Sequence, residues 1–331
     1  MSRVAMVFTG GTISTLPDAA AGGNTPVLRG AEILARSAGV AQVAQVEAID
    51  WGLVPASHLR LAQMLDIARV VDDALARPEI AGAVIVQGTD TIEETAFAYE
   101  LLVRSDKPVI VTGAMRDGSS VDFDGPRNLA DAAVCAQSPD LLGAGVQVVL
   151  DGLVVAARDV VKTHSTAMDT FQPRDGAATG RVVDARLLLD GAPVGRGRLP
   201  RLPDHAIEDV HLVTAVSGMD GTLLRALRPL QPAGVVVAAT GAGNTAADLL
   251  AAATELMSDG TVVAQTTRCP RGTVEPIYAF PGGGATWQRA GALPSVFDGP
   301  KTRVALALGI AAGLTRDELA GLVSGRGHEQ F

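Results

Sequence analysis

Four stretches of the chain carry chemically useful side chains at points where a strand should end. The first, Thr9-Gly-Gly-Thr12, stops the apolar run Val4 to Phe8. Two hydroxyls flank two glycines, which let the backbone turn where a side chain would block close approach. The second is Gln87-Gly-Thr89-Asp90-Thr91, after Ala83 to Val86. The third is Gly113-Ala114-Met115-Arg116, after Val109 to Thr112, and the fourth is Lys162 in RDVVKTHSTAMDTF. A threonine hydroxyl is a weak nucleophile until a neighbouring base takes its proton. A lysine can be that base when burial or a nearby cation lowers its pKa, and a paired aspartate can hold it in place. Thr12, Thr89, Asp90 and Lys162 together would make a nucleophile with a proton relay. Each has an ordinary reading too: TGGT as a Gly-rich turn, Thr89 and Asp90 as helix-entry residues, Lys162 as a solvated lysine. Spacing alone leaves both readings open.

Other chemistries find less support. His58, His164, His205, His211 and His328 form no HxxxH or HExxH pattern, so a metal site is not expected. GxSxG is absent, and TGGTIS lacks the GK[ST] ending of a P-loop. Gly241 to Asn244 and Gly282 to Gly284 are patterns more common in turns than around phosphate. Cys135 and Cys269 stand apart, which suits a reducing compartment without a disulfide framework. A net charge of −9 argues against nonspecific nucleic-acid binding, which needs a basic footprint. No basic segment, apolar core and cleavage site open the chain, and VALALGIAAGL falls short of the ~20 apolar residues that cross a bilayer. A soluble cytoplasmic protein with no membrane partner is expected.

These residues need strands to carry them. At 331 residues the chain exceeds one usual core, and two domains are expected. Hydrophobic residues make up 47% and aromatics 3%, so aliphatic packing must dominate. Strand-like and helix-like segments alternate through the first two-thirds. Ser57 is placed to cap a helix with Leu61, Met64, Leu65, Ala68 and Leu75 on its apolar face. Thr91 and Glu94 read as a capping box before Phe97, Leu101 and Leu102, and Asp124 and Pro126 as the start of the next helix. Asp151-Gly152 is a two-residue hairpin signal. The fold class expected is α/β with two α/β domains. The N-terminal one (1–190) is larger, with a mostly parallel sheet and an added β-hairpin. A Gly, Pro and Arg-rich linker (191–207) leads to a smaller C-terminal α/β domain (208–331), where Thr315 and Glu318 form another capping box. In such sheets sites lie beyond the carboxyl ends of the strands, where TGGT and QGTDT fall.

TGGTIS, QGTDT leading into EET, TGAMR with DGPRNL, and KTHSTAMDTF together resemble the bacterial-type L-asparaginase family, in its order and with its spacings from Thr9 to Phe171. TGAGN and GPKTRVALAL resemble its C-terminal part less distinctly. The resemblance implies an amidohydrolase that converts the side-chain amide of asparagine to aspartate and ammonia. Thr12 would be the nucleophile and carry the acyl group, Thr89, Asp90 and Lys162 would move protons, and N–H groups of Gly11 and Gly88-Thr89 would face the oxyanion. Substrate would lie against Gly11, Asp50, Trp51, Gly88, Ala114 and Met115. The family works without metal or organic cofactor. It assembles as homodimers or homotetramers, with the active site between the N-domain of one subunit and the C-domain of its neighbour.

Three positions depart from that family. Thr25 stands where it has a tyrosine on the loop after the nucleophile. Trp51, in AIDWGLVP, aligns with the serine that holds the substrate's α-carboxylate, though Asp50 remains. No acidic residue near Gly282 to Gly284 matches the one that a neighbouring subunit lends. Either Ser57 takes the serine's part, or the substrate is a different small amide or lactam. A non-catalytic amino-acid-binding homologue is a further alternative, but it would have no use for the relay.

Overall fold

Val4, Ala5, Met6 and Val7 are wholly buried, because this strand runs through the middle of a sheet covered on both faces. The computed structural model describes residues 3–193 and 197–325. They fall into two compact units, Met1–Arg196 and Gly197–Phe331.

The strands of the first unit are β1 (Arg3–Phe8), β2 (Thr15–Asp18), β3 (Gly23–Pro26), β4 (Gln45–Asp50), β5 (Ile80–Val86), β6 (Val109–Thr112), β7 (Val146–Leu150), β8 (Leu153–Ala156), β9 (Val160–Lys162), β10 (Phe171–Pro173), β11 (Gly180–Val183) and β12 (Arg186–Leu189). Eight of them form one sheet in the order β12-β11-β8-β7-β6-β5-β1-β4. From β7 to β4 every pairing is parallel, and β8, β11 and β12 add antiparallel edges. At the β7–β8 turn Asp151 and Gly152 take φ of 48° and 75°, the two left-handed residues of a type I′ hairpin, which pairs Leu150 with Leu153. β2–β3 and β9–β10 are separate two-stranded ribbons.

Helices α1 (Gly30–Ala35), α2 (Val40–Val43), α3 (Leu61–Leu75), α4 (Ile92–Leu102) and α5 (Gly125–Ala136) complete this unit. The face of α3 read from the sequence is the buried one. Two of the expected caps are replaced. Ser57 sits in a tight turn, Ala56–His58, and α3 starts after Arg60, whose N–H donates to the Gln63 side chain. Thr91 does not cap α4; its hydroxyl donates to the Ala56 carbonyl at 3.1 Å.

The second unit holds a parallel sheet of β13 (Val210–Thr214), β14 (Gly234–Ala239), β15 (Val262–Thr267) and β16 (Leu293–Pro294), in that order. Helices α6 (Thr222–Leu227), α7 (Ala247–Ser258), α8 (Gly284–Ala290), α9 (Gly299–Ala311) and α10 (Arg316–Val323) accompany it, and Thr315 and Glu318 make the capping box at α10. Of the stretch 191–207, residues 194–196 lie outside the described ones, as does His328. From Gly197 the chain belongs to the second unit: Leu199 is buried, and Arg201 donates to the Ala312 carbonyl at 2.8 Å and the Glu318 carboxylate at 3.0 Å. No helix among the described residues is long and apolar enough to cross a membrane.

Candidate active site

The chain leaves β1 toward β4 on one side and returns to build β5, β6 and β7 on the other. That makes the carboxyl end of β1 the switch point of the sheet, where open α/β sheets leave a crevice for ligands. Thr9 to Thr12 occupies that end, and Gln87 to Asp90 leaves the adjacent end of β5.

These two turns pack backbone against backbone. Gly10 and Gly11 take φ of 115° and 90°, a region that favours glycine. A Cβ on Gly11 would stand 2.1 Å from Gly88 N and 2.2 Å from Gly88 Cα. On Gly88 it would stand 2.8 Å from the Ala56 Cβ, and on Gly113, 2.4 Å from the Gln87 carbonyl oxygen. The glycines therefore bring three strand ends and the Ala56 turn to one place.

Four hydroxyls lie between Thr9 and Thr15, and main-chain carbonyls engage three of them. Thr9 donates to Val86, Ser14 to Gly11 and Thr15 to Thr12. The Thr12 hydroxyl has no hydrogen-bond partner among the described residues. The N–H groups of Gly11, Thr12, Gly88 and Thr89 likewise have no acceptor there. Unpaired N–H groups at a tight turn are suited to a developing oxyanion.

Thr89, Asp90 and Lys162 form one cluster. Lys162 Nζ donates to Thr89 Oγ1 at 3.0 Å and to Asp90 Oδ1 at 2.9 Å. The lysine side chain is 12% exposed and the aspartate 72%, so the pair adds little to folding. Its fixed geometry has another origin: Lys162 N–H donates to Glu93 on α4 at 2.9 Å, and Lys162 pairs with Phe171 across β9–β10.

Ala114 and Met115 follow β6. Asp124, expected only as a helix start, organises this loop: its carboxylate accepts from the N–H groups of Met115 and Arg116 and from the Asn128 amide, at 2.9–3.0 Å. Arg116 reaches the Thr166 carbonyl at 3.0 Å, tying the GAMR loop to the one after Lys162. Thr25 lies on the β2–β3 ribbon that follows the Thr12 turn, and next to it Asn24 donates to Asp117 at 3.0 Å. Hydrogen bonds from Ser119 hold the Asp117 carboxyl below the usual aspartate range.

Asp50, at the end of β4, and Trp51, just after it, each fasten a helix. Asp50 Oδ1 accepts from Gly30 N–H at the start of α1, at 2.8 Å, and Trp51 Nε1 donates to Asp66 on α3, at 2.7 Å. Ala56, beside Ser57, is the part of this loop that meets Gly88. The sequence also gave no hint of Gln87 as more than the first letter of QGTDT. Its side chain bonds Thr95, eight residues on, a spacing that no local pattern marks.

Comparison with known proteins places both units in one family. The profile of the family described as "Asparaginase, N-terminal" matches residues 3–194, and that of the "Glutaminase/Asparaginase C-terminal domain" matches residues 209–322. A probable L-asparaginase from Deinococcus radiodurans is 33% identical over 96% of each chain. L-asparaginase from Bacillus licheniformis is 26% identical, over 94% of this chain and 96% of its own. Among solved structures, a probable cytoplasmic L-asparaginase from Campylobacter jejuni superposes with a TM-score of 0.86 at 26% identity, covering 98% of this chain and 99% of the other. The chain belongs to the asparaginase family of amidohydrolases.

Proposed function

We propose that the protein hydrolyses the side-chain amide of L-asparagine to aspartate and ammonia through an acyl-enzyme on Thr12. The Thr12 oxygen attacks the amide carbon while N–H groups at the Gly11 and Gly88-Thr89 turns face the oxygen that gains charge. The hydroxyl proton passes through the Thr89–Lys162–Asp90 cluster and leaves with ammonia as the C–N bond breaks. Water then cleaves the ester, yielding aspartate and restoring the hydroxyl.

The observation that carries this reading is the packing of Gly11 on Gly88, which sets an unengaged threonine hydroxyl next to a turn whose Thr89 and Asp90 both bind Lys162. The names of the relatives support asparagine as the substrate. The resemblance to a cytoplasmic relative supports that compartment, and the family's habit supports a homodimer or homotetramer, which light scattering on the purified protein checks.

The test is ammonia release from asparagine, glutamine, their D-forms and simple amides. L-asparagine should be turned over best. Thr12→Ala should release none while keeping the wild-type circular dichroism spectrum and melting temperature. A Thr12→Ala protein that kept a tenth of the wild-type rate would remove Thr12 as nucleophile.

A further inference from the structure

Gln87 is wholly buried at the end of β5, among three glycine turns. Its N–H donates to the Thr112 carbonyl at 3.0 Å. Its carbonyl carbon lies 2.7 Å from where a Cβ on Gly11 would stand. The side-chain Nε2 donates to Thr95 Oγ1 at 2.7 Å and to the Gly88 carbonyl at 3.2 Å. Thr95 gives its own proton to the Thr91 carbonyl at 3.1 Å and so can only accept from Gln87. That network fixes which end of the amide is nitrogen.

The other end, Oε1, is buried with no partner among the described residues. An unpaired buried acceptor opposes folding. A methionine would fill the same space without an unpaired oxygen, and would leave the Gly88 carbonyl and Thr95 without their donor instead. What glutamine supplies and methionine cannot is a donor to the Gly88 carbonyl. The Gly88–Thr89 peptide is trans, so its N–H points away from its C=O. With the carbonyl anchored inward on Gln87, the Thr89 N–H is held facing the opposite way, and it has no acceptor among the described residues.

We propose that Gln87 is a positioning residue: it locks the Gly88–Thr89 peptide plane so that the Thr89 N–H is preset to receive the oxyanion. This rests on the activity proposed above. An anchor of this kind acts on the transition state more than on bound substrate, so its loss should appear in kcat.

The experiment compares wild type, Gln87→Met and Thr95→Val, the last removing the acceptor that steadies the amide. Melting temperature, kcat and KM for L-asparagine are read for each, with the NMR shift and hydrogen exchange of the Thr89 amide. Gln87→Met should still fold cooperatively, lose roughly 10- to 100-fold in kcat and keep KM within about threefold, the loss expected of a weakened oxyanion donor. Thr95→Val should lose kcat in the same direction but by less. The Thr89 resonance should move and its exchange accelerate in Gln87→Met. A kcat within twofold of wild type in Gln87→Met would overturn the proposal. Should that variant fail to fold, Thr95→Val with unchanged kcat and an unchanged Thr89 resonance would do the same. A wild-type protein inert toward every amide would instead sink the proposed activity, and the Thr89 resonance would still decide what Gln87 does.

Discussion

Three of the four hydroxyls near the end of β1 donate to carbonyls of their own turn or of β5, so only Thr12 keeps a proton free for chemistry. The same reasoning picks out Lys162, whose largely buried ammonium donates to both Thr89 and Asp90. Lys162→Met should therefore cost at least ~10² in kcat, the usual scale for a lost acid–base group, with melting temperature little changed because the pair is partly exposed. A near-normal rate would return Lys162 to an ordinary surface role. The strand-end placement of Thr12, Thr89, Asp90 and Lys162 was legible in the sequence because strand ends are local features, whereas the Lys162 bonds to Thr89 and Asp90 join residues more than 70 apart. The Trp51 contact with Asp66 was not legible, since it depends on a residue in the next helix. Trp51→Ser is accordingly expected to leave the L-asparagine KM within about twofold. Ser57→Ala, in the turn beside Gly88, should raise KM roughly tenfold or more with kcat unchanged, because a hydrogen bond to a charged group is worth ~1.5–3 kcal/mol. Steady-state kinetics of the two variants decide which residue grips the substrate, and a reversed pattern would restore the original alignment of this loop.

Among the elements, the glycine turns matter more than the helices that follow them. Gly11 combines a φ of 90° with no room for a Cβ, so Gly11→Ala must both strain the backbone and push β1 away from the Gly88 turn. Gly23, on the β2–β3 ribbon, has open space around the same position. Gly11→Ala should abolish ammonia release and lower the melting temperature by several degrees. Gly23→Ala should leave activity intact and shift stability by no more than about 1 kcal/mol, in the stabilising direction where the native backbone suits alanine. Equal effects in the two variants would mean that the close approach at Gly88 does not control the site. Hairpin and strand signals such as Asp151-Gly152 read correctly because two adjacent residues decide them. The caps at Ser57 and Thr91 did not, since the turn containing Ala56 crosses over the start of α4 and takes the Thr91 hydroxyl for itself. A long-range contact overrode a local preference there, at the place where the site is built.

Across the whole molecule, acidic groups set the pH dependence of stability, and they do not all act in one direction. In the second unit Arg225 holds Asp248, and Arg201 holds Glu318, each down to about 2. What these pairs add is complete above the unfolded carboxylate range and disappears only as pH falls toward 2. Asp131 on α5 has the opposite sign. Burial pushes its carboxyl up to about 6, with Asp151 adding to the rise and Arg127 opposing it. Its Oδ2 is buried without a hydrogen bond, and the nearest guanidinium nitrogen, Arg127 Nε, stands 3.6 Å away. In the unfolded chain the same group titrates near 3.8. The folded state thus holds the proton more tightly between about pH 4 and pH 6, and stability falls as pH rises through that window. The cost is complete above about 6 and absent below about 4. Asp131→Asn removes the charge and keeps the shape, so the variant should melt above wild type at pH 7.5, with the gap closing as the pH is lowered to 4. Melting curves at both pH values test this. An equal gain at each pH, or a loss at pH 7.5, would mean that the Asp131 carboxylate is stabilised in the fold by contacts with Arg127 rather than tolerated at a cost.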